Sequence, residues 1–156
     1  MDSFFAFAKD LLFLKKLTKM KKFKTLFIVT LIVDVLAFIP ILLIMYVPSM
    51  KEGMVYNQFP GMSKNPLANE LFDLFNFVFA FFAISILVAD IVAIGLKTKE
   101  TAQIAALLLL IIHVGWMLPD WINLIVGNGH PPIFVLLLSS VPVIALAYGW
   151  KKGEMK

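Results

Sequence analysis

Four stretches of this chain are each long and apolar enough to cross a lipid bilayer, and nothing else in it constrains the fold so strongly. A hydrocarbon core about 30 Å thick takes roughly 20 helical residues to cross. The stretches run from about Leu26 to Val47, Glu70 to Leu96, Thr101 to Val126 and Ile133 to Trp150. Inside lipid no water bonds stray backbone groups, so only helices or a closed barrel are tolerated. These runs lack the two-residue alternation of barrel strands, and helices are expected. Composition agrees. Of the 156 residues 61% are hydrophobic and the mean hydropathy is +0.92, outside the range of water-soluble domains. The sequence predicts an all-α integral membrane protein, with a four-helix transmembrane bundle over residues 25–150.

Lysine placement gives an expected orientation, because short loops rich in Lys stay on the cytoplasmic side. Lys9, Lys15, Lys16, Lys19, Lys21, Lys22 and Lys24 precede the first span, Lys97 and Lys99 join the second to the third, and Lys151, Lys152 and Lys156 follow the fourth. Only Lys51 and Lys64 fall on the other side. The expectation is a multi-pass protein of the cell membrane with both termini cytoplasmic. Trp116 and Trp121 near one end of the third span, and Tyr148 and Trp150 near the inner end of the fourth, suit interfacial anchors. Residues 1–24 form a basic amphipathic segment: Lys15, Lys16, Lys19 and Lys22 share one helical face, with Phe13, Leu14, Leu17 and Met20 opposite. Such a helix lies in the inner interface against anionic lipid. Residues 151–156 are a short cytoplasmic tail.

Several functions are argued against by what is missing. There is no cysteine, hence no disulfide, thiolate zinc site, iron–sulfur cluster or cysteine nucleophile. Every basic residue is lysine, so no guanidinium fork is available for phosphate or carboxylate. With a net charge of only +4, nucleic acid is not an expected partner. Nucleophile elbows, glycine-rich phosphate loops and zinc-hydrolase motifs are absent, and no cofactor is indicated.

What remains is polar residues where lipid should be. Asp34, Asp90 and His113 lie at membrane depth, and an aspartate at a helix centre costs about 2.5–3.5 kcal/mol to insert. They are expected to face other helices. On the second span Asn76, Ala83 and Asp90 recur every seven residues, and on the third Ala106, His113, Asp120 and Gly127 do so, with Trp116 beside that line. On the first span Thr30 lies one turn below Asp34. Small and polar residues together mark faces where helices approach closely. By the rise of the helix, about 1.5 Å per residue, Asp34 and His113 reach similar depths and are candidates to pair, with Asp90 nearer the inner side. Thr30, Asp34, Asp90, His113, Trp116 and Asp120 are the candidate residues of a proton relay or of an ion or solute site. A metal site is only weakly signalled, by Asp120 and His130 at the outer surface. Pro40, Pro119 and Pro142 are expected to kink three of the spans.

The leading expectation is a non-catalytic oligomer or an accessory subunit of a larger membrane complex, with lipid and another membrane chain or a second copy as partners. A phenylalanine face on the second span (Phe72, Phe75, Phe79, Phe82) suits such contact. Two alternatives stand beside it: a proton-coupled carrier or channel using the Asp/His residues, and a membrane enzyme or redox partner acting on a lipid or quinone.

Overall fold

The structure, a computed structural model, describes residues 22–57, 59–127 and 132–155. Four long helices carry almost all of it: α1 (Phe23–Tyr46), α2 (Pro66–Ile94), α3 (Lys99–Val126) and α4 (Ile133–Lys152). Each is long and apolar enough to cross a membrane. No strand occurs among the described residues. The protein is an all-α membrane protein. The basic amphipathic stretch expected before α1 lies, but for its last three residues, outside the described residues.

Local chemistry sets the helix ends. Val47 is extended, with φ −118° and ψ 100°, as a residue before proline must be, and α1 stops there. Asn65 is extended too, and its Oδ1 accepts from the Ala68 amide at 3.2 Å, capping a helix that opens on Pro66. That Asn–Pro signal starts α2 four residues ahead of Glu70, where the apolar run suggested. Thr98 caps α3, its hydroxyl accepting from the Thr101 amide at 3.3 Å. Gly127 ends it in the left-handed region at φ 77°, the one described residue with positive φ. Lys151 and Lys152 occupy the last turn of α4, where its dipole favours cations. Pro40, Pro119 and Pro142 each lie inside a helix that continues past them.

The chain forms two compact units. One takes in the residues up to Val33 together with Ala89–Lys156, and the other is Asp34–Val88. In the first, all four helices contribute to one apolar cluster: Phe23 and Phe27 from α1, Ala93 from α2, Ala102, Ala106 and Leu109 from α3, and Leu146 from α4. Glycine makes the tightest contact possible. A Cβ on Gly149 would stand 3.2 Å from Leu26 Cδ1 and 3.7 Å from Ala106 Cβ, and one on Gly153 would collide with the Phe23 ring. Gly149 and Gly153 therefore seat Phe23 within the chain. The Phe23 amide also donates to the Glu154 carbonyl at 3.0 Å, and Gln103 Nε2 to the Trp150 carbonyl at 3.1 Å, fastening the lysine-rich ends of α1, α3 and α4.

The second unit holds the rest of α1, the connecting segment and most of α2. Asn76 Nδ2 donates to the Ile41 carbonyl at 3.2 Å, tying α2 to α1. The connection folds through a short helical turn (Pro48–Lys51), a wider turn (Glu52–Tyr56) and a 3-10 turn (Met62–Lys64).

Candidate functional site

Three buried polar residues of the first unit, Thr30, Asp90 and His113, fall at one level by helix rise. Phe27, Ala93 and Leu109 belong to a single packed cluster, and Thr30, Asp90 and His113 each lie one helical turn from one of them, about 5 Å along the axis. Since α1 and α3 run away from the lysine-rich end and α2 runs towards it, the three steps go the same way. A second apolar cluster, Val33 and Val141 with Val29 and Leu138 against them, follows one turn beyond Thr30. A hydroxyl, a carboxyl and an imidazole thus form a layer between two apolar clusters. Thr30 and Asp90 are 0% exposed and His113 is 6% exposed.

Helix geometry orients the ring. His113 Nδ1 lies 2.7 Å from the Leu109 carbonyl oxygen one turn back. A carbonyl only accepts, so Nδ1 carries a hydrogen and Nε2 is the nitrogen that can gain or lose one. The Thr30 hydroxyl is fully covered and makes no hydrogen bond among the described residues. Leaving such a group unbonded costs about 1–3 kcal/mol, which marks the layer as polar beyond what packing alone requires. The arrangement suits holding a proton or a small polar guest.

The remaining candidates are spread out. Trp116 and Asp120 continue the His113 side of α3 and are half-buried. Asp34 is buried, at 3% exposed, and belongs to the second unit. His130 lies outside the described residues, and among those described no three His, Asp or Glu side chains gather as metal ligands.

Other polar contacts in the structure escape sequence reasoning. In the second unit Lys51 Nζ donates to Asp73 Oδ1 at 2.6 Å and sits 5.6 Å from the Tyr56 ring centre and 5.8 Å from that of Phe72. The Tyr56 hydroxyl donates to Asn69 Oδ1 at 2.8 Å. Together these clasp the connecting segment to the first turns of α2. Burial works against the Lys51 charge, but the bonds to Asp73 and Tyr56 and the charge of the Asp73 carboxylate outweigh it and raise its pKa above 10.5. In the first unit Ser140 Oγ reaches Met117 Sδ at 3.3 Å while also donating to the Leu136 carbonyl at 2.8 Å. The only signal for the clasp is a lysine in a segment expected to be lysine-poor, and that does not name its partners.

Comparison with protein families, curated proteins and solved structures finds no match.

Proposed function

We propose that this membrane protein handles protons within the bilayer, as a small proton-coupled carrier or channel whose working groups include Asp90 and His113. The observation that carries this reading is the Thr30–Asp90–His113 layer, which puts two ionisable groups at one buried level. Intramembrane ionisable side chains are costly, and where they occur they usually line ion or proton paths. Thr30 supports the reading as a hydroxyl able to bridge the two. Trp116 and Asp120 extend the polar residues of α3 beyond the layer and are the further stations of such a path. The test is proton flux into liposomes holding the purified protein. Flux above that of empty vesicles, abolished by His113→Ala, is the expected result; wild-type flux no greater than the empty control rejects it.

A second reading is a non-catalytic oligomer or accessory subunit. It is favoured by the exposure of Phe75, Phe79 and Phe82 along α2, beside a Phe77–Phe81 ring pair 4.9 Å apart. Its test is purification in mild detergent: recovery with stoichiometric partner chains, or as a defined multimer, favours it, and a clean monomer opposes it. For either reading the lysine-rich end is proposed to face the cytoplasm of the cell membrane, with both termini there. The lysines at the ends of all four helices and the Phe23–Glu154 bond support this placement. Cysteine labelling at positions 24 and 152 from either side of intact cells checks it.

A further inference from the structure

We infer that the lysine-rich end of the first unit binds the phosphate groups of anionic phospholipids, through Lys22, Lys24, Lys99, Lys151 and Lys152 gathered about Trp150. This surface goes beyond proton handling and stands without it.

Backbone ties assemble the patch. Lys22 pairs with Glu154 in a parallel bridge, and the Phe23 amide donates to the Glu154 carbonyl at 3.0 Å. The start of α1 and the end of α4 are thereby held side by side, with Phe23 seated on Gly149 and Gly153. Lys22 and Lys24 flank Phe23, and Lys151 and Lys152 close α4. Gln103 Nε2 donates to the Trp150 carbonyl at 3.1 Å, which brings in α3, and Lys99 opens that helix one turn before Gln103. Lys97 follows Leu96, a residue packed on the same apolar cluster as Phe23. Helix ends far apart in sequence thus bring their ammonium groups to one end of one unit.

Charge then selects the occupant. All six lysines are exposed, and none makes an ion pair among the described residues. Lys151 Nζ lies 5.6 Å from the Trp150 ring centre. The exposed acids described at this end are Glu100 and Glu154, so six positive charges stand against two negative ones. Lysine serves phosphate as a compact point charge and needs no guanidinium fork. The level is that of lipid headgroups: four apolar helices have an end here, and the 38% exposed Trp150 has the amphipathic ring that settles at the membrane boundary. A zwitterionic headgroup brings its own ammonium and leaves the surplus unanswered, whereas an anionic one offsets it. Each lysine near an anionic leaflet strengthens the attraction about fivefold. Free phosphate has the same chemistry but no acyl chains to keep it at this level, which favours the lipid.

The test is quenching of Trp150 fluorescence in full-length protein carrying Trp116→Phe and Trp121→Phe, reconstituted in phosphatidylcholine vesicles. A minor share of the lipid is brominated phosphatidylglycerol or, for comparison, brominated phosphatidylcholine. The expected result is a relative association constant for the anionic lipid about fivefold or more above that of the zwitterionic one, at least the contribution of one lysine. Combining Lys22→Gln, Lys24→Gln, Lys151→Gln and Lys152→Gln should bring that ratio close to one, in protein of unchanged helicity. Combining Lys15→Gln, Lys16→Gln and Lys19→Gln, in the basic segment before α1, should leave it high. Equal quenching by the two lipids without any lysine change overturns the inference, and needs no lysine variant to fold. So does selectivity that survives the first set of changes and disappears with the second. Loss of selectivity in inorganic phosphate, but not in chloride of equal ionic strength, would make the occupant a free anion and also overturn it.

Discussion

In the second unit Lys51, Asp73, Tyr56 and Asn69 satisfy one another with the Asp73 side chain 56% exposed, while in the first Thr30, Asp90 and His113 are sealed between apolar clusters. The two sets use similar chemistry at opposite cost. A lysine–carboxylate pair open to water on one side is worth little and costs little. A carboxyl and an imidazole under two layers of apolar side chains are expensive to keep, and a small bundle gains no obvious packing from them. Cost is therefore informative. The clasp reads as local fastening of a connecting segment, and the layer, the costlier of the two, is where the proposed function is placed.

That contrast has a packing side, and the largest expected effect tests it. Without water between helices, association in lipid depends on close contact of backbones and side chains more than on hydrophobic drive. The first unit shows this where Gly149 and Gly153 receive Phe23. Gly153→Ala would place a methyl into the Phe23 ring and beside the Gly149 carbonyl oxygen, 2.6 Å away, so the ring or the end of α4 must move. Overpacking of this kind costs about 1–3 kcal/mol. Unfolding in mixed micelles is the measurement. Gly149→Ala, whose nearest neighbour is the end of a flexible Leu26 side chain at 3.2 Å, is expected to cost less. Equal and negligible losses for both would mean the first unit is not held by close approach, and the contrast between the units would narrow.

How much of this could be read from the sequence follows the same division. The four helices were legible because hydrocarbon thickness sets a length that few sequences meet by accident. The polar faces were legible in part: Asn76, Ala83 and Asp90 all prove buried on α2, as do Ala106 and His113 on α3, while Asp120 on the same line is half-buried and Gly127 exposed. Positions along the chain also placed Thr30 on the same face as Asp34, and both are buried. The clasp was illegible. Lysine, tyrosine, asparagine and aspartate are ordinary around a polar connection, and no spacing says that Lys51 reaches across 22 positions to Asp73. Gly149 and Gly153 stand four apart in the sequence, but such spacing names at most a close approach and not the partner. In this protein that partner is Phe23 of the same chain.

A middle-sized effect is expected at Asn76, whose amide donates to the Ile41 carbonyl at 3.2 Å. Hydrogen bonds between membrane helices average about 0.6 kcal/mol, because the unfolded chain in lipid also finds partners. Asn76→Leu should lower unfolding stability by that order. A loss of several kcal/mol would show that the second unit, like the first, depends on a buried polar group, and the comparison would fail there.

The smallest effect belongs to the clasp and carries a pH signature. Burial lowers the Lys51 pKa, and contact with Asp73 and Tyr56 raises it by more, leaving it above 10.5. A raised lysine contributes stability that is fully present below its unfolded value and is lost as pH climbs through its folded one. The clasp should therefore be complete at neutral pH and weaken only above 10.5. Pairs of this exposure are worth about 0.2–1 kcal/mol, and Lys51→Met should cost an amount in that range at pH 7. It should also flatten whatever loss the wild type shows as pH climbs above 10.5, as Asp73→Asn should in part. The readout is local: hydrogen exchange of the amides of residues 49–56, faster in the variant, with the Leu109 and His113 amides of the first unit unchanged. If Lys51→Met instead sped exchange around His113, the two sets of polar groups would be energetically linked, and the cheap one could no longer be treated as local fastening.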